Sequence, residues 1–500
     1  MRRLILLLLL PFWSSAQLPI IYADVPDPSM IRVGDTYYMS STTMHMNPGV
    51  PVMKSKDLVN WEIIHYAYEE LEPDLDLGTG KSMYGKGSWA SSLRYHEGTY
   101  YLSTFALNTG KTYIFTTKDI EKGPWERKSF QPAFHDHTLF FEDGKPYLIY
   151  GAGKLMLVPL KEDLTGVAGK ERVLIENANL PAGPNIGLNA EGSQLFKHDG
   201  KYYLFNIVWP KGGMRTVLIH RAESLQGPWE GRVAFQDMGI AQGGMIDTPD
   251  GKWWAYLFRD MGSVGRVPYW VPIQWKDGWP VIGDEGKFPK DLPLPAGKGL
   301  IPGIVNSDEF TSNTLSLVWQ WNHNADSTRW SLTDRKGFMR LKTGQVGAPL
   351  LQTRNMLTQR TIGPKCTGEV KIDVRGLKEG DVAGLIALQS DYAWVGVKVE
   401  NGQRFLVVEK EEEGKKSELL KRPWKGNTVF VRIHCDFTDF KDEATFSFSS
   451  DGKRWEKASG SLAMKYKLTH FMGYRFGLFV QATKSEGGYA DFDYYKINEL

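Results

Sequence analysis

A glycine-centred turn followed by aromatic residues recurs five times in the first half of the chain, and this repeat limits the fold more than any other feature. The turns stand at Gly34 before Tyr37-Tyr38, Gly98 before Tyr100-Tyr101, Gly144 before Tyr147, Gly200 before Tyr202-Tyr203 and Gly251 before Trp253-Trp254. The intervals run from 46 residues (Gly98 to Gly144) to 64 residues (Gly34 to Gly98). A hairpin recurring at a spacing of roughly 40–50 residues is the signature of propeller blades. Five copies predict a five-bladed β-propeller.

The repeat also aligns what precedes each turn. The first strand of a blade is the innermost and lines the central channel. Counting back seven to nine residues from the turn glycines reaches Asp27, Trp89, Asp136, Glu191 and Gln242. Three carboxylates converging on one channel mouth repel one another and shift their proton affinities. That is unfavourable for a scaffold and useful for a glycosidase, which needs one protonated and one ionised carboxyl group. Asp136 lies in His135-Asp136-His137. On a regular strand alternate side chains face opposite ways, so neither histidine is expected to share a site with Asp136.

The remaining chain divides by pattern. Met1-Arg2-Arg3, an apolar run from Leu4 to Trp13 and the small residues Ser14-Ser15-Ala16 read as a signal peptide over 1–16. Export to the periplasm or beyond follows, with cleavage near Ala16 and no membrane insertion of the mature chain. Without Arg2 and Arg3, 58 basic residues face 58 acidic ones, which argues against nucleic acid or an anionic membrane as partner. Residues 17–286 hold the propeller pattern of short strands and Gly/Asp turns. Residues 287–303, rich in Pro, Gly and Lys, read as a linker. Residues 304–500 restart with alternating strands of no fixed period and read as a β-sandwich. Two aromatic-rich domains on a short linker are expected to share an apolar interface, with the sandwich lending a loop to the pocket rim. Cys366 and Cys435 both lie in strand-like runs and read as buried free thiols rather than a bridge.

Three stretches, Asp24 to Val33, Asp136 to Gly151, and Ala190-Glu191-Gly192, resemble glycoside hydrolase family 43. Trp319 to Trp330 and Asn355 to Arg360 resemble the β-sandwich, concanavalin-like or jelly-roll, appended to that family's xylosidases and arabinofuranosidases. The resemblance implies exo-acting hydrolysis of terminal pentoses with inversion, on an oligo- or polysaccharide substrate. It implies Asp27 as general base, Glu191 as general acid and Asp136 as the residue that tunes and orients the acid. Trp89 matches a pocket aromatic that packs on the sugar, and Arg266 an arginine that contacts substrate hydroxyls. Two departures bear on specificity. Gln242 stands where many members carry a histidine that helps hold a central calcium or water, so no cofactor is required and that calcium is in doubt. Met44 and His45 stand where some xylosidases have a pocket phenylalanine. A different wall there favours α-L-arabinofuranose, with β-xylosidase activity as the alternative. A non-catalytic glycan-binding protein would lose a carboxylate, and all three are present.

Overall fold

The computed structural model describes residues 19–72, 82–295 and 297–500. The expected signal peptide lies outside the described residues. The first domain is a five-bladed propeller of four-stranded antiparallel sheets. Blade one comprises Ser29–Val33, Thr36–Ser40, Gly49–Ser55 and Glu62–Tyr68. Blades two to five open with the inner strands Ser92–His96, Thr138–Glu142, Ile186–His198 and Ala241–Asp247. These inner strands contact one another in sequence, and the last returns to the first.

The turn residues explain why the blades begin where they do. Glu97-Gly98, Asp143-Gly144 and Asp199-Gly200 each form a two-residue turn with positive φ at both positions. Such turns match the right-handed twist of the flanking strands and favour Asn, Asp and Gly. All five turn glycines have positive φ, and a Cβ on any of them would meet nothing within 4 Å. Their demand is therefore conformational, not steric. The ring is closed across its ends by Arg32, whose Nε donates to Asp247 Oδ1 at 3.0 Å. The Val25 N–H adds a bond to the Arg266 carbonyl at 2.9 Å.

The last blade ends at Ile282, and the next strand opens at Gln320. From there two large sheets pack as a concanavalin-like sandwich. Strand Thr428–Asp436 alternates buried with half-buried residues, and Val429, Val431 and Ile433 point into the core. Cys366 and Cys435 sit opposite each other on neighbouring strands as buried thiols.

The two domains share structure instead of merely touching. Met46-Asn47, from the propeller, forms the edge strand of one sandwich sheet by pairing with Gln320–Asn322. The segment before blade one is drawn to the sandwich as well, since the Gly363 N–H donates to the Tyr22 carbonyl at 2.7 Å. One hydrophobic cluster runs from Ile21 and Trp61 through Trp319 to Phe492. At its centre Asp24, buried, accepts the Arg266 N–H at 2.7 Å and the Gly473 N–H at 2.9 Å.

Two outcomes follow. Gly265 has φ +109°, and a Cβ there would lie 2.2 Å from Asp24 Oδ1. Gly265→Ala is therefore expected to cost about 3 kcal/mol of stability, against about 1 kcal/mol for Gly98→Ala, where only backbone conformation is strained. Denaturant unfolding measures both, and equal losses would contradict the contact. Because the core is continuous, calorimetry of the full chain is expected to show one transition, while a chain ending at residue 303 should unfold at lower temperature and aggregate.

Candidate active site

The inner strands deliver Asp27, Asp136 and Gln242 to the channel in an unusual backbone state. Their φ angles are 49°, 47° and 53°. Left-handed backbone costs a non-glycine residue on the order of 1–2 kcal/mol and concentrates where a site demands it. It turns each side chain inward just before, or within, the first strand of its blade. Glu191 arrives differently. Its strand has register shifts on both sides of it against Lys201–Pro210, and Gly192 follows with φ +65°. A Cβ at Gly192 would meet Gln242 Cγ at 2.9 Å, so the glycine is what lets the Gln242 amide lie beside the acid. Asp27, Asp136 and Gln242 line one small cavity with Ser193 and Gln194.

Asp27 is held from two sides. Arg266 Nη1 donates to both of its oxygens, at 2.9 and 3.0 Å, and Thr42 Oγ1 donates at 2.6 Å. Arg266 is itself buried, 5% exposed, with its guanidinium 4.7 Å from the Phe471 ring centroid. Its Nε and Nη2 have no acceptor among the described residues, and neither has the Trp89 indole N–H. Buried donors of this kind normally find a partner, and the hydroxyl groups of a sugar are suitable ones.

Across the channel the Asp136 and Glu191 carboxyl groups and a His135 nitrogen lie within 4.8 Å of one another, close enough for the charge of each to act on the others. A cation entering here would compete with protons for the same oxygens. Burial is the largest cause raising the Glu191 pKa, to about 7, with the Asp136 charge second; His135 opposes both. Burial also raises Asp136, with His135 again the main opposing influence.

His135 corrects a sequence expectation. Its Nε2 stands 3.8 Å from Asp136 Oδ1. The alternation rule fails because Asp136 has left-handed backbone and the regular strand begins only at Thr138. His137 departs from the expectation too, lining the cavity with Asp27 and Asp136, but both of its ring nitrogens are engaged by other groups. Its Nδ1 lies 2.8 Å from the Phe134 carbonyl, which must accept, so its Nε2 accepts from the Ser103 hydroxyl at 2.9 Å. Burial lowers its pKa to about 4, consistent with that neutral tautomer.

The other expected residues divide. Trp89 is half-buried beside the channel, its ring 5.0 Å from that of Phe471. Met44 exchanges backbone bonds with Ser88 at 3.0 and 3.2 Å and so braces the Trp89 segment. His45 is not brought to the site. Its ring is fully buried between Tyr84 at 4.6 Å and His323 at 4.5 Å, in the interface with the sandwich, so it forms no pocket wall. Phe471, absent from the sequence expectations, comes from a sandwich loop and has φ +56°. Only a general expectation of a rim loop pointed that way. Asp24 and Arg215 were also missed, because their partners are remote in sequence.

The chain matches known proteins over nearly all of its length. Residues 16–280 match the family model for glycosyl hydrolases family 43, and residues 307–498 that for the beta xylosidase C-terminal concanavalin A-like domain. A beta-xylosidase of Formosa agariphila is 30% identical, over 95% of this chain and 89% of its own. The non-reducing end alpha-L-arabinofuranosidase BoGH43B of Bacteroides ovatus is 26% identical, over 96% of this chain and 94% of its own. A solved bifunctional GH43-CE protein of Bacteroides eggerthii superposes with a TM-score of 0.96 at 59% identity. That match covers 98% of this chain, which spans 64% of the length of that one. The chain belongs to glycoside hydrolase family 43.

Proposed function

We propose that this protein releases a terminal pentose from xylan- or arabinan-type glycans with inversion at the anomeric carbon. The observation that carries this reading is the division of labour among the carboxyl groups. Asp27, gripped by Arg266, presents a carboxylate, and Glu191 retains its proton to about pH 7. In one step water attacks the anomeric carbon, its proton passes to Asp27, and the Glu191 proton passes to the departing oxygen. Burial, and after it the neighbouring Asp136 charge, keep Glu191 protonated. The unpartnered donors of Arg266 and Trp89 face incoming hydroxyl groups, and Phe471 covers the guanidinium.

Between the two pentoses, a wall of Met44 and His45 would favour α-L-arabinofuranose. With His45 buried elsewhere, β-xylose becomes the first reading and α-L-arabinofuranose the second. The names of the relatives, a beta-xylosidase and an arabinofuranosidase, support keeping both. The p-nitrophenyl β-xyloside and α-L-arabinofuranoside compared at equal concentration decide between them. Proton NMR of the first-formed sugar should show the inverted anomer, and a retained anomer would overturn the mechanism.

Glu191→Gln keeps the shape of the side chain but has no acidic proton to give. It is expected to lower kcat by roughly 10²–10⁴-fold on oligosaccharides, and by less on an aryl glycoside whose leaving group needs little protonation. Equal losses on both, with chemistry rate-limiting, would remove Glu191 from the acid role. The pH profile supplies a separate check. Glu191 must be protonated to act, so activity should fall as pH rises through about 7. Asp136→Asn removes a neighbouring negative charge, lowers the Glu191 pKa and should move that alkaline limb to lower pH.

A further inference from the structure

Blade four carries its hairpin past the carboxyl cluster. Its first two strands, Ile186–His198 and Lys201–Pro210, are 13 and 10 residues long. Glu191 lies opposite Ile207, and Leu188 opposite Trp209. On the regular strand Lys201–Pro210, Ile207 and Trp209 share a face, and the pairings of Glu191 and Leu188 put Trp209 one step beyond Glu191 along the hairpin. It is 42% exposed, although most tryptophan surface is buried in folded domains. Its indole is fixed by a bond from Nε1 to the Gly213 carbonyl at 3.0 Å.

Arg215 links this indole to the reaction centre. Its guanidinium lies 5.3 Å from the Trp209 ring centroid and pairs with Asp260 at 2.8 Å. Asp260 is the strand partner of Arg266, which grips Asp27. Arg215 is also near enough to Glu191 for its charge to oppose the rise in that group's pKa. A continuous wall thus runs from the exposed indole through Arg215 and Asp260 to the two sides of the reaction centre.

Direction along this wall follows from the chemistry. The acid protonates the departing oxygen, so the departing sugar must extend past Glu191, away from the water activated at Asp27. Trp209 stands beyond Glu191 on the hairpin and is joined to it through Arg215. We propose that Trp209 and Arg215 form the leaving-group subsite, in which the sugar next to the released pentose packs on the exposed indole and hydrogen-bonds to the guanidinium. An indole offers a rigid apolar face that suits the C–H surface of a sugar ring, and Arg215 supplies donors at its edge. This inference rests on the glycosidase reading above.

The test compares an oligosaccharide with the glycosyl fluoride of the same pentose, whose leaving atom carries no sugar. Trp209→Ala is expected to lower the ratio of kcat/KM for the oligosaccharide to kcat/KM for the fluoride about tenfold, a typical loss for a truncated aromatic anchor. Trp209→Phe should restore most of that ratio, which excludes simple misfolding as the cause. A ratio unchanged in Trp209→Ala, or equally reduced in Trp209→Phe, would overturn the subsite. If the unsubstituted chain hydrolyses neither substrate for either pentose, the glycosidase reading itself fails, and the subsite with it.

Discussion

The buried carboxylate of Asp24 ties together three parts of the molecule that are remote in sequence. Its two oxygens accept main-chain N–H groups from Arg266 of blade five and Gly473 of the sandwich. Its own carbonyl accepts from Arg360 Nε at 2.9 Å. Burial raises the pKa of this carboxyl group against the Arg266 charge and the two backbone bonds. A charge in such a place is tolerable only when paired and hydrogen-bonded. The geometry leaves no room for a side chain at Gly265, and a Cβ at Gly473 would lie 2.0 Å from the Val264 carbonyl.

The active site depends on this junction. Fixing the Arg266 backbone aims its guanidinium at both oxygens of Asp27. Fixing Gly473 places Phe471, two residues earlier, over that guanidinium and beside Trp89. The sandwich therefore supplies part of the site and is more than a support. Electrostatics then divides the roles. Arg266 compensates Asp27, while burial raises both Asp136 and Glu191, the Asp27 charge adding to the rise at Asp136 and the Asp136 charge to that at Glu191.

Much of this was legible in the sequence wherever a local signal coincided with a local structure. Two-residue Glu-Gly and Asp-Gly turns encode three of the hairpins and the turn glycines Gly34 and Gly251 mark the other two, so counting the glycines gave five blades. Counting back from them reached the inner-strand positions, and Asp27, Asp136, Glu191 and Gln242 do converge on one channel. The alternation argument at Asp136 failed for a physical reason. It assumes extended backbone, and a residue at φ 47° breaks the alternation and admits His135. His45 was misplaced because its neighbour Met46 is borrowed by a sheet of the other domain, which pulls the ring into the interface.

By itself, then, the sequence determined the number of blades, the sandwich that follows them and the three channel carboxyl groups, because turn chemistry and strand period act over a few residues. Tertiary structure alone decided that Phe471 enters the pocket, that Arg215 bridges Trp209 to Asp260, and that Asp24 joins blade five to the sandwich. Those contacts depend on how whole sheets stack and on which buried donors then lack a partner. No short-range pattern of residues records either.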